Sequence, residues 1–335
     1  MKRRILVPGG AGYIGSHTVH ALIESGAEVV IIDNLETGFR GALHQEAVFY
    51  EGDIRNEQFL DSVFSKEKID GVIHFAANSL VGESMTNPLK YYNNNLGGTR
   101  TLLEAMVRYK VDKIVFSSTA AAYGEPETLP ITEDAKTEPS NCYGETKLAM
   151  EKMFKWTDLA HGVKYVSLRY FNACGAHENG HIGEAHNPET HLIPMILQVP
   201  NGKLESVSVF GTDYSTRDGT CVRDYIHVSD LADAHILAMD YLLKGGESEI
   251  FNLGNGVGFT VFDVLKAAEK ATGKAIPFEE KPRRAGDPAQ LVASSEKARS
   301  VLGWNPVRDD LELIVSSAWN WHKSHPAGYG KMEEK

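Results

Sequence analysis

A chain of 335 residues that is 42% hydrophobic and 24% charged has apolar material for one large core or two medium ones, in the proportions of an ordinary soluble globular protein. Its 45 acidic and 34 basic side chains give a formal charge of -11, and its longest basic run is Lys2-Arg3-Arg4, which argues against nucleic acid as a partner. Ile5-Leu6-Val7 is too short for a signal peptide or membrane span, and Cys142, Cys174 and Cys221 form no CxxC pair, so neither membrane, disulfide framework nor zinc knuckle is expected and a cytoplasmic location is.

The first predicted strand, Arg4–Val7, runs into Gly9-Gly10-Ala11-Gly12-Tyr13-Ile14-Gly15 and then a helix, Gly15–Ser25. Gly9 permits the tight turn. Gly12 removes a Cβ that would hold a pyrophosphate off the backbone, and Gly15 lets helix and strand pack closely while the helix N-terminus faces phosphates. The next strand, Glu28–Ile32, ends in Asp33, about 20 residues beyond the glycines, where a carboxylate accepts both ribose hydroxyls and repels a 2′-phosphate. The pattern therefore predicts NAD rather than NADP, although Asp33-Asn34 before Gly38 also reads as a turn.

Further alternation follows: strand Val48–Tyr50, helix Asn56–Ser65, strand Gly71–Phe75, helix Pro88–Tyr109 and strand Lys113–Ser117. The rhythm predicts right-handed crossovers and a doubly wound parallel α/β sheet. Gly52-Asp53-Ile54 and His74-Phe75-Ala76-Ala77 fall at carboxyl ends of strands, where such sheets bind ligands.

Tyr143-Gly144-Glu145-Thr146-Lys147 puts a phenol and an ammonium on one face of a predicted helix, Tyr143–His161. A free tyrosine titrates near ~10. A nearby cation lowers an acid's pKa by roughly 1–3 units, which predicts Tyr143 as a base sharpened by Lys147. A second YxxxK, Tyr109–Lys113, runs off a helix end and carries no such expectation; only the Tyr143 copy follows a strand ending in hydroxyls, Phe116-Ser117-Ser118-Thr119.

Strand Lys164–Arg169 closes this part. Beyond Asn172 come loops rich in Gly, His, Asn and Pro, a strand Ser206–Phe210, and helices Val228–Leu243, Val261–Thr272 and Leu311–His325, with a tail Gly328–Lys335 expected to fray. His177-Glu178-Asn179-Gly180-His181 matches the HExxH zinc pattern, but its glycines argue against the helix that pattern requires, so no metal site is expected.

Taken in order, the glycine turn, Asp33-Asn34, His74-Phe75-Ala76-Ala77, Asn94, Phe116-Ser117-Ser118-Thr119, the Tyr143–Lys147 run, Arg169-Tyr170-Phe171-Asn172, Val222-Arg223-Asp224-Tyr225-Ile226-His227 and Arg283-Arg284-Ala285-Gly286-Asp287 form one series. It resembles the UDP-glucose 4-epimerases of the extended short-chain dehydrogenase/reductase family over nearly the whole chain. The resemblance implies a Rossmann-like sheet domain at 1–171, rejoined by about 223–252, and a smaller α/β substrate lobe at 172–335. It implies Tyr143 as base, Lys147 as its electrostatic partner and Thr119 as a hydroxyl assisting at the sugar 4-position. NAD contacts would come from Gly9, Gly12, Tyr13, Ile14, Gly15, Asp33, Asn34, Asp53, Ile54, Phe75, Ala76, Ala77, Asn94, Tyr143, Lys147 and Tyr170. The UDP-sugar would meet Thr119, Tyr143, Asn172, His191, Leu192, Phe210, Arg223, Arg284, Asp287 and Leu291.

The implied reaction is reversible C4 epimerisation of UDP-glucose and UDP-galactose through a 4-keto sugar, with bound NAD and homodimer formation through the two long helices. The sequence departs from the family pattern at Pro8, Ser79, Asn141-Cys142 and His191, the last of which touches the nucleotide grip. Leu291 stands where hexose-restricted members carry Tyr, which implies room for UDP-GlcNAc and UDP-GalNAc. A 4,6-dehydratase would need an acid and a base after Thr119, where this chain has Ala120 and Ala121. Pentose or uronate 4-epimerases and a non-catalytic NAD sensor are the remaining alternatives.

Overall fold

The computed structural model describes residues 2–284 and 287–330. Its large sheet takes six strands from the first half of the chain: β1 (Arg4–Pro8), β2 (Glu28–Asp33), β3 (Val48–Glu51), β4 (Gly71–His74), β5 (Lys113–Thr119) and β6 (Lys164–Tyr170). Helices α1 (Tyr13–Glu24), α2 (Glu57–Phe64), α3 (Val81–Thr86), α4 (Pro88–Tyr91), α5 (Gly98–Tyr109) and α6 (Cys142–His161) cross between them. The strand order is β3-β2-β1-β4-β5-β6, all parallel, so the chain reverses its direction of travel between β1 and β4. A crevice opens outside the carboxyl ends at that reversal, which is where doubly wound sheets place ligands.

The strands read as continuous apolar runs because helices cover both faces. Ile5, Val7, Val29 and Ile31 enter one core with α1, while Leu6, Val30 and Ile32 enter another with α2, α5 and α6. Alternate residues of one strand thus serve opposite cores, as the two-residue period of a strand requires.

The rest of the chain supplies β7 (Asn172–Cys174), α7 (Leu192–Gln198), β8 (Val207–Phe210), β9 (Val222–His227), α8 (Val228–Leu243), β10 (Glu249–Leu253), β11 (Gly258–Thr260), α9 (Val261–Thr272), β12 (Phe278–Lys281), β13 (Gln290–Leu291), α10 (Glu296–Leu302) and α11 (Leu311–Ser324). β10 joins the large sheet beside β6 as a seventh parallel strand, and α8 packs its Leu231, Ala234, Ala238 and Leu242 into the α1 core. Around β9 gather β7, β11 and β13, with α7, α9 and α11 closing a separate apolar core. Among the described residues no helix is long and apolar enough to cross a membrane.

Two expectations need correction. The helix expected over 88–109 carries a wide π turn at Tyr92–Gly97 between α4 and α5. Asparagine is a poor helix former, and here Asn95 uses its amide to accept from the Asn78 N–H and to donate to the Asn78 carbonyl and the Thr146 hydroxyl. The wide turn is what aims it there, as π turns at functional sites commonly do. The tail, expected to fray from Gly328, is instead pinned at Tyr329, whose hydroxyl donates to the Gly183 carbonyl and whose ring stacks on Phe39; residues 331–335 of that tail lie outside the described residues.

Candidate active site

The turn after β1 is tight for identifiable reasons. Gly9 adopts φ of 83°, and a Cβ there would lie 2.5 Å from the Ala76 nitrogen. A Cβ on Gly15 would lie 2.1 Å from the Gly9 carbonyl oxygen, so both positions require glycine for backbone approach alone. Gly12 precedes α1 without a side-chain cap, which leaves the first-turn N–H groups of α1 available to an anion.

Beside this turn lies a cavity of about 790 Å³. Its walls bring together Gly9, Gly12, Tyr13, Ile14, Gly15, Asp33, Asn34, Asp53, Ile54, Phe75, Ala76, Ala77, Asn94, Thr119, Tyr143, Lys147, Tyr170, Asn172, His191 and Leu192. Asp33 combines the two readings its position allowed. Its carboxylate accepts from the Ala11 N–H at 3.0 Å and the Leu35 N–H at 2.8 Å, and still lines the cavity. Burial raises its pKa, and the two N–H groups oppose that rise. Asp53 is held at about 2, chiefly by the Arg55 guanidinium, and also accepts from the Asn34 amide.

The phenol and ammonium meet at the junction of β5 and α6. Asn141 caps α6 by accepting from the Gly144 N–H at 2.9 Å, and a Cβ on Gly144 would lie 2.6 Å from the Ala121 carbonyl oxygen. These contacts seat the first turn of α6 against the end of β5. Lys147, only 3% exposed, donates to the Ser117 carbonyl at 2.8 Å and lies 4.8 Å from the Phe116 ring centroid and 5.8 Å from that of Tyr143. Burial pushes Lys147 down to about 7, with Glu151 partly opposing.

Burial also pushes the Tyr143 phenol up to about 12, with the Thr119 hydroxyl pulling it back. This corrects the expectation that Lys147 acidifies Tyr143. Desolvation disfavours the charged form of both groups, and the ammonium's close hydrogen bond is to a neutral carbonyl rather than to a phenolate. Within the protein alone the lysine, not the tyrosine, is brought toward neutrality.

Several supporting contacts, and Glu151 among the residues, were not anticipated from sequence. The Ser117 hydroxyl pairs with the Tyr170 phenol, and both line the cavity. One turn beyond Lys147, Glu151 receives both Arg169 Nε at 2.9 Å and Nη2 at 2.6 Å and accepts from Ser118 at 2.5 Å, which ties α6 to β5 and β6. The one available signal was the four-residue step from Lys147 to Glu151 on a predicted helix.

Five anticipated UDP-sugar residues, four for the nucleotide and Leu291 for the sugar pocket, are not among that cavity's lining residues. Arg223 pairs with Asp287, Arg284 lies 4.0 Å over the Phe210 ring, and Leu291 on β13 is in register with Arg223 on β9. Tyr225, two residues along β9 from Arg223, does line the cavity, so β9 joins the two groups. Of the decoys, Tyr109 ends α5 and Lys113 begins β5 at the opposite end from Thr119. The HExxH segment is a turn, with Glu178 paired to Arg308.

The sequence matches the NAD dependent epimerase/dehydratase family over residues 5–254. It is 60% identical over 325 residues to the UDP-glucose 4-epimerase of Halalkalibacterium halodurans, covering 97% of each chain. It is 58% identical to that of Lacticaseibacillus casei, covering 97% of this chain and 98% of the relative. A crystal structure of UDP-glucose 4-epimerase from Bifidobacterium longum in complex with NAD+ and UDP superposes with a TM-score of 0.92 at 41% identity, over 97% of this chain and 99% of that one.

The depressed Lys147 pKa has a thermodynamic consequence. Between about 7 and 10.5 the folded chain binds fewer protons at this site than the unfolded chain, so Lys147 costs stability, increasingly as pH falls toward 7 and fully below it. Lys147→Met removes that cost together with the hydrogen bond to Ser117. The melting temperature of the variant relative to the wild type is expected to be more favourable at ~pH 6 than at ~pH 9.5, by calorimetry; an equal difference at both would contradict the assignment.

Proposed function

Because the chain belongs to the NAD dependent epimerase/dehydratase family, we propose that it interconverts UDP-glucose and UDP-galactose by inverting C4 through a transient 4-keto sugar, with NAD held in the cavity. The observation that carries this reading is the meeting of the Tyr143 phenol, the Thr119 hydroxyl and the Lys147 ammonium on the same cavity wall as the uncapped helix turn after β1.

The residues present fit NAD. Gly12 offers an open approach to the α1 amides for a pyrophosphate. Carboxylates of Asp33 and Glu36 stand on the wall, and the cations there are Lys147 and Lys90, the latter paired with Glu36 and Glu83. A 2′-phosphate would meet these carboxylates, and among the described residues no arginine lines the cavity, the nearby Arg55 being paired with Asp53, so NAD is favoured over NADP. Held there by the α1 amides and Asp33, NAD would supply a reversible hydride acceptor for the sugar C4.

In this reading Tyr143 takes the 4-hydroxyl proton and gives it back after the ketone has presented its other face. Thr119 hydrogen-bonds the sugar oxygen as its bond order changes, and Lys147 orients the phenol and a ribose hydroxyl. Arg223, Arg284, Asp287, Phe210, Asn172 and Leu192 hold the UDP group, while the sugar meets few charged side chains and can turn. Ala120 and Ala121 carry no proton-transfer group, which disfavours dehydration.

Purified protein without added NAD is expected to convert UDP-galactose to UDP-glucose and to prefer both over UDP-arabinose. Tyr143→Phe should lower kcat by about 10²–10⁴-fold with co-purified NAD unchanged. Wild-type-like turnover by that variant would defeat the reading.

Leu291 is half-buried opposite Arg223, and we place it at the wall of the sugar pocket with room for an acetamido group. Leu291→Tyr is then expected to lower the ratio of kcat/KM for UDP-GlcNAc over UDP-galactose by about tenfold or more. An unchanged ratio would refute the placement.

We also propose a homodimer. α6 exposes Trp156 and Leu159 at 67% and 68%, beside a groove between α5 and α6 lined by Leu103, Val107 and Met153. Such an apolar face suits pairing with its own copy. Light scattering should give two chains for the wild type and one for Trp156→Glu/Leu159→Glu; a monomeric wild type would end the proposal.

A further inference from the structure

Between β7 and α7 the segment 184–191 turns so that Glu184, His186, Glu189 and His191 converge, with one ligand-capable atom from each lying within 4.8 Å of all the others. Glu184 Oε1 lies 3.0 Å from His191 Nδ1 and 3.3 Å from His186 Nδ1. Glu189 approaches the same two nitrogens at 3.1 and 3.4 Å. The Glu184 side chain is only 4% exposed and that of Glu189 10%.

Hydrogen bonding satisfies this group unevenly: Glu189 Oε1 accepts from the Thr190 and His191 N–H groups at 2.8 Å each, while the contacts among the four side chains are long. A charge-assisted N–H···O bond spans about 2.7–2.9 Å, and every one of these approaches is longer. Each Nδ1 carries at most one proton yet faces two carboxylates. His186 Nδ1 is buried with no hydrogen-bond partner, although it points at the most buried carboxylate of the set. A buried nitrogen held only by ion-pair approaches of 3.3 and 3.4 Å leaves space for something between the side chains.

The donor set identifies what fits. The His–Glu approaches run from 3.0 to 3.4 Å, with Glu189 turning a different oxygen to each imidazole, and one ligand atom from each residue lies within 4.8 Å of the rest, a space that can draw in around one ion whose ligands stand about 2.0–2.2 Å from it. Two carboxylates and two neutral imidazoles balance the charge of a divalent ion, and imidazole with carboxylate is a donor set that zinc accepts. We propose that Glu184, His186, Glu189 and His191 form a binding site for a divalent transition metal, zinc being the occupant favoured by the donor set.

With four protein ligands and no position left for water, the site is structural. It would clamp a loop that matters to the cavity. Upstream, Gly183 exchanges two hydrogen bonds with the Tyr329 hydroxyl, and a Cβ on Gly183 would collide with Trp321. Downstream, Leu192 opens α7 on the cavity wall, and His186 meets Tyr13 edge-on at 6.2 Å. Nδ1 ligation of His191 also leaves its Nε2 as a fixed N–H donor on that wall. The HExxH residues take no part.

The competing outcome is a network of two imidazolium ions and two carboxylates with no metal. Tag-free protein is loaded with zinc chloride, passed over chelating resin and analysed by plasma mass spectrometry. The wild type is expected to retain about one zinc per chain. His186→Ala and Glu189→Ala should retain at least about tenfold less, and His177→Ala should match the wild type, with NAD content reporting folding throughout. If the variants do not fold, wild type stripped by a chelator should melt earlier and recover with zinc but not magnesium. Zinc retention by the wild type no greater than that of His186→Ala, or a melting temperature indifferent to chelator, overturns the site. Neither measurement depends on epimerase activity.

Discussion

The site depends on keeping the ammonium of Lys147 out of water beside a phenol. A buried cation must find compensation or lose its proton, and here the compensation is a backbone carbonyl, Ser117, at the carboxyl end of β5. That requirement fixes α6 relative to the sheet. Asn141 sets where α6 begins, the absence of a Cβ at Gly144 lets it approach Ala121, and Asn95 holds Thr146 from the far side. Glu151 then clamps the next turn to Arg169 and Ser118. Asn95, Ser118, Thr146, Lys147, Glu151 and Arg169 are polar and buried, so loss of any partner among them leaves an uncompensated neighbour, and the geometry is over-determined.

In the proposed function the chain would divide its binding work between two frameworks. One is the rigid parallel sheet with its glycine turn. The other is the smaller set of strands around β9, joined to the cavity by β7 pairing at Asn172 and Tyr225 and by the Tyr13 hydroxyl donating to the Gly175 carbonyl at 2.6 Å. Arg223 and Arg284 already have partners, a carboxylate and an aromatic face. Such arginines are oriented before an anion arrives and lose less freedom in meeting it. A firm grip at that end leaves the sugar end free of charged restraint, which a reaction that presents both faces of one carbon requires.

What the sequence made legible follows from the range of the interactions involved. Strands buried on both faces and helices with a 3.6-residue stripe declare themselves locally, and α8 and α9 fall where periodicity put them, the latter sharpened by the Thr260–Asp263 capping box. The glycine turn and the Tyr143–Lys147 step are likewise short-range patterns. The π turn at Tyr92–Gly97 was not, because its cause is a partner 51 residues away, Thr146. Nor were β7, β11 and β13, two or three residues each, which exist only because β9 offers edges to pair with. The Glu184–His191 cluster was hidden for a related reason: its spacing fits neither helix nor strand, and only the turn brings the side chains to one point.

The relative acidities of the two central groups bear on when a proton can move between phenol and sugar. Burial holds Tyr143 at about 12 and Lys147 at about 7, so near neutrality the phenol keeps its proton and the lysine is poised to lose or keep its own. In the proposed reaction Tyr143 would act as a base only with further positive charge close by, which an oxidised nicotinamide would provide and a reduced one would not. The same desolvation that makes the phenol a poor base in isolation makes it a good keeper of the proton while the sugar is a ketone. Its readiness to accept and to return that proton is thus coupled to the redox state of its neighbour, and an apolar wall around Phe116 strengthens the coupling by lowering the local screening. A more exposed phenol would titrate closer to its ordinary value but respond less to that charge.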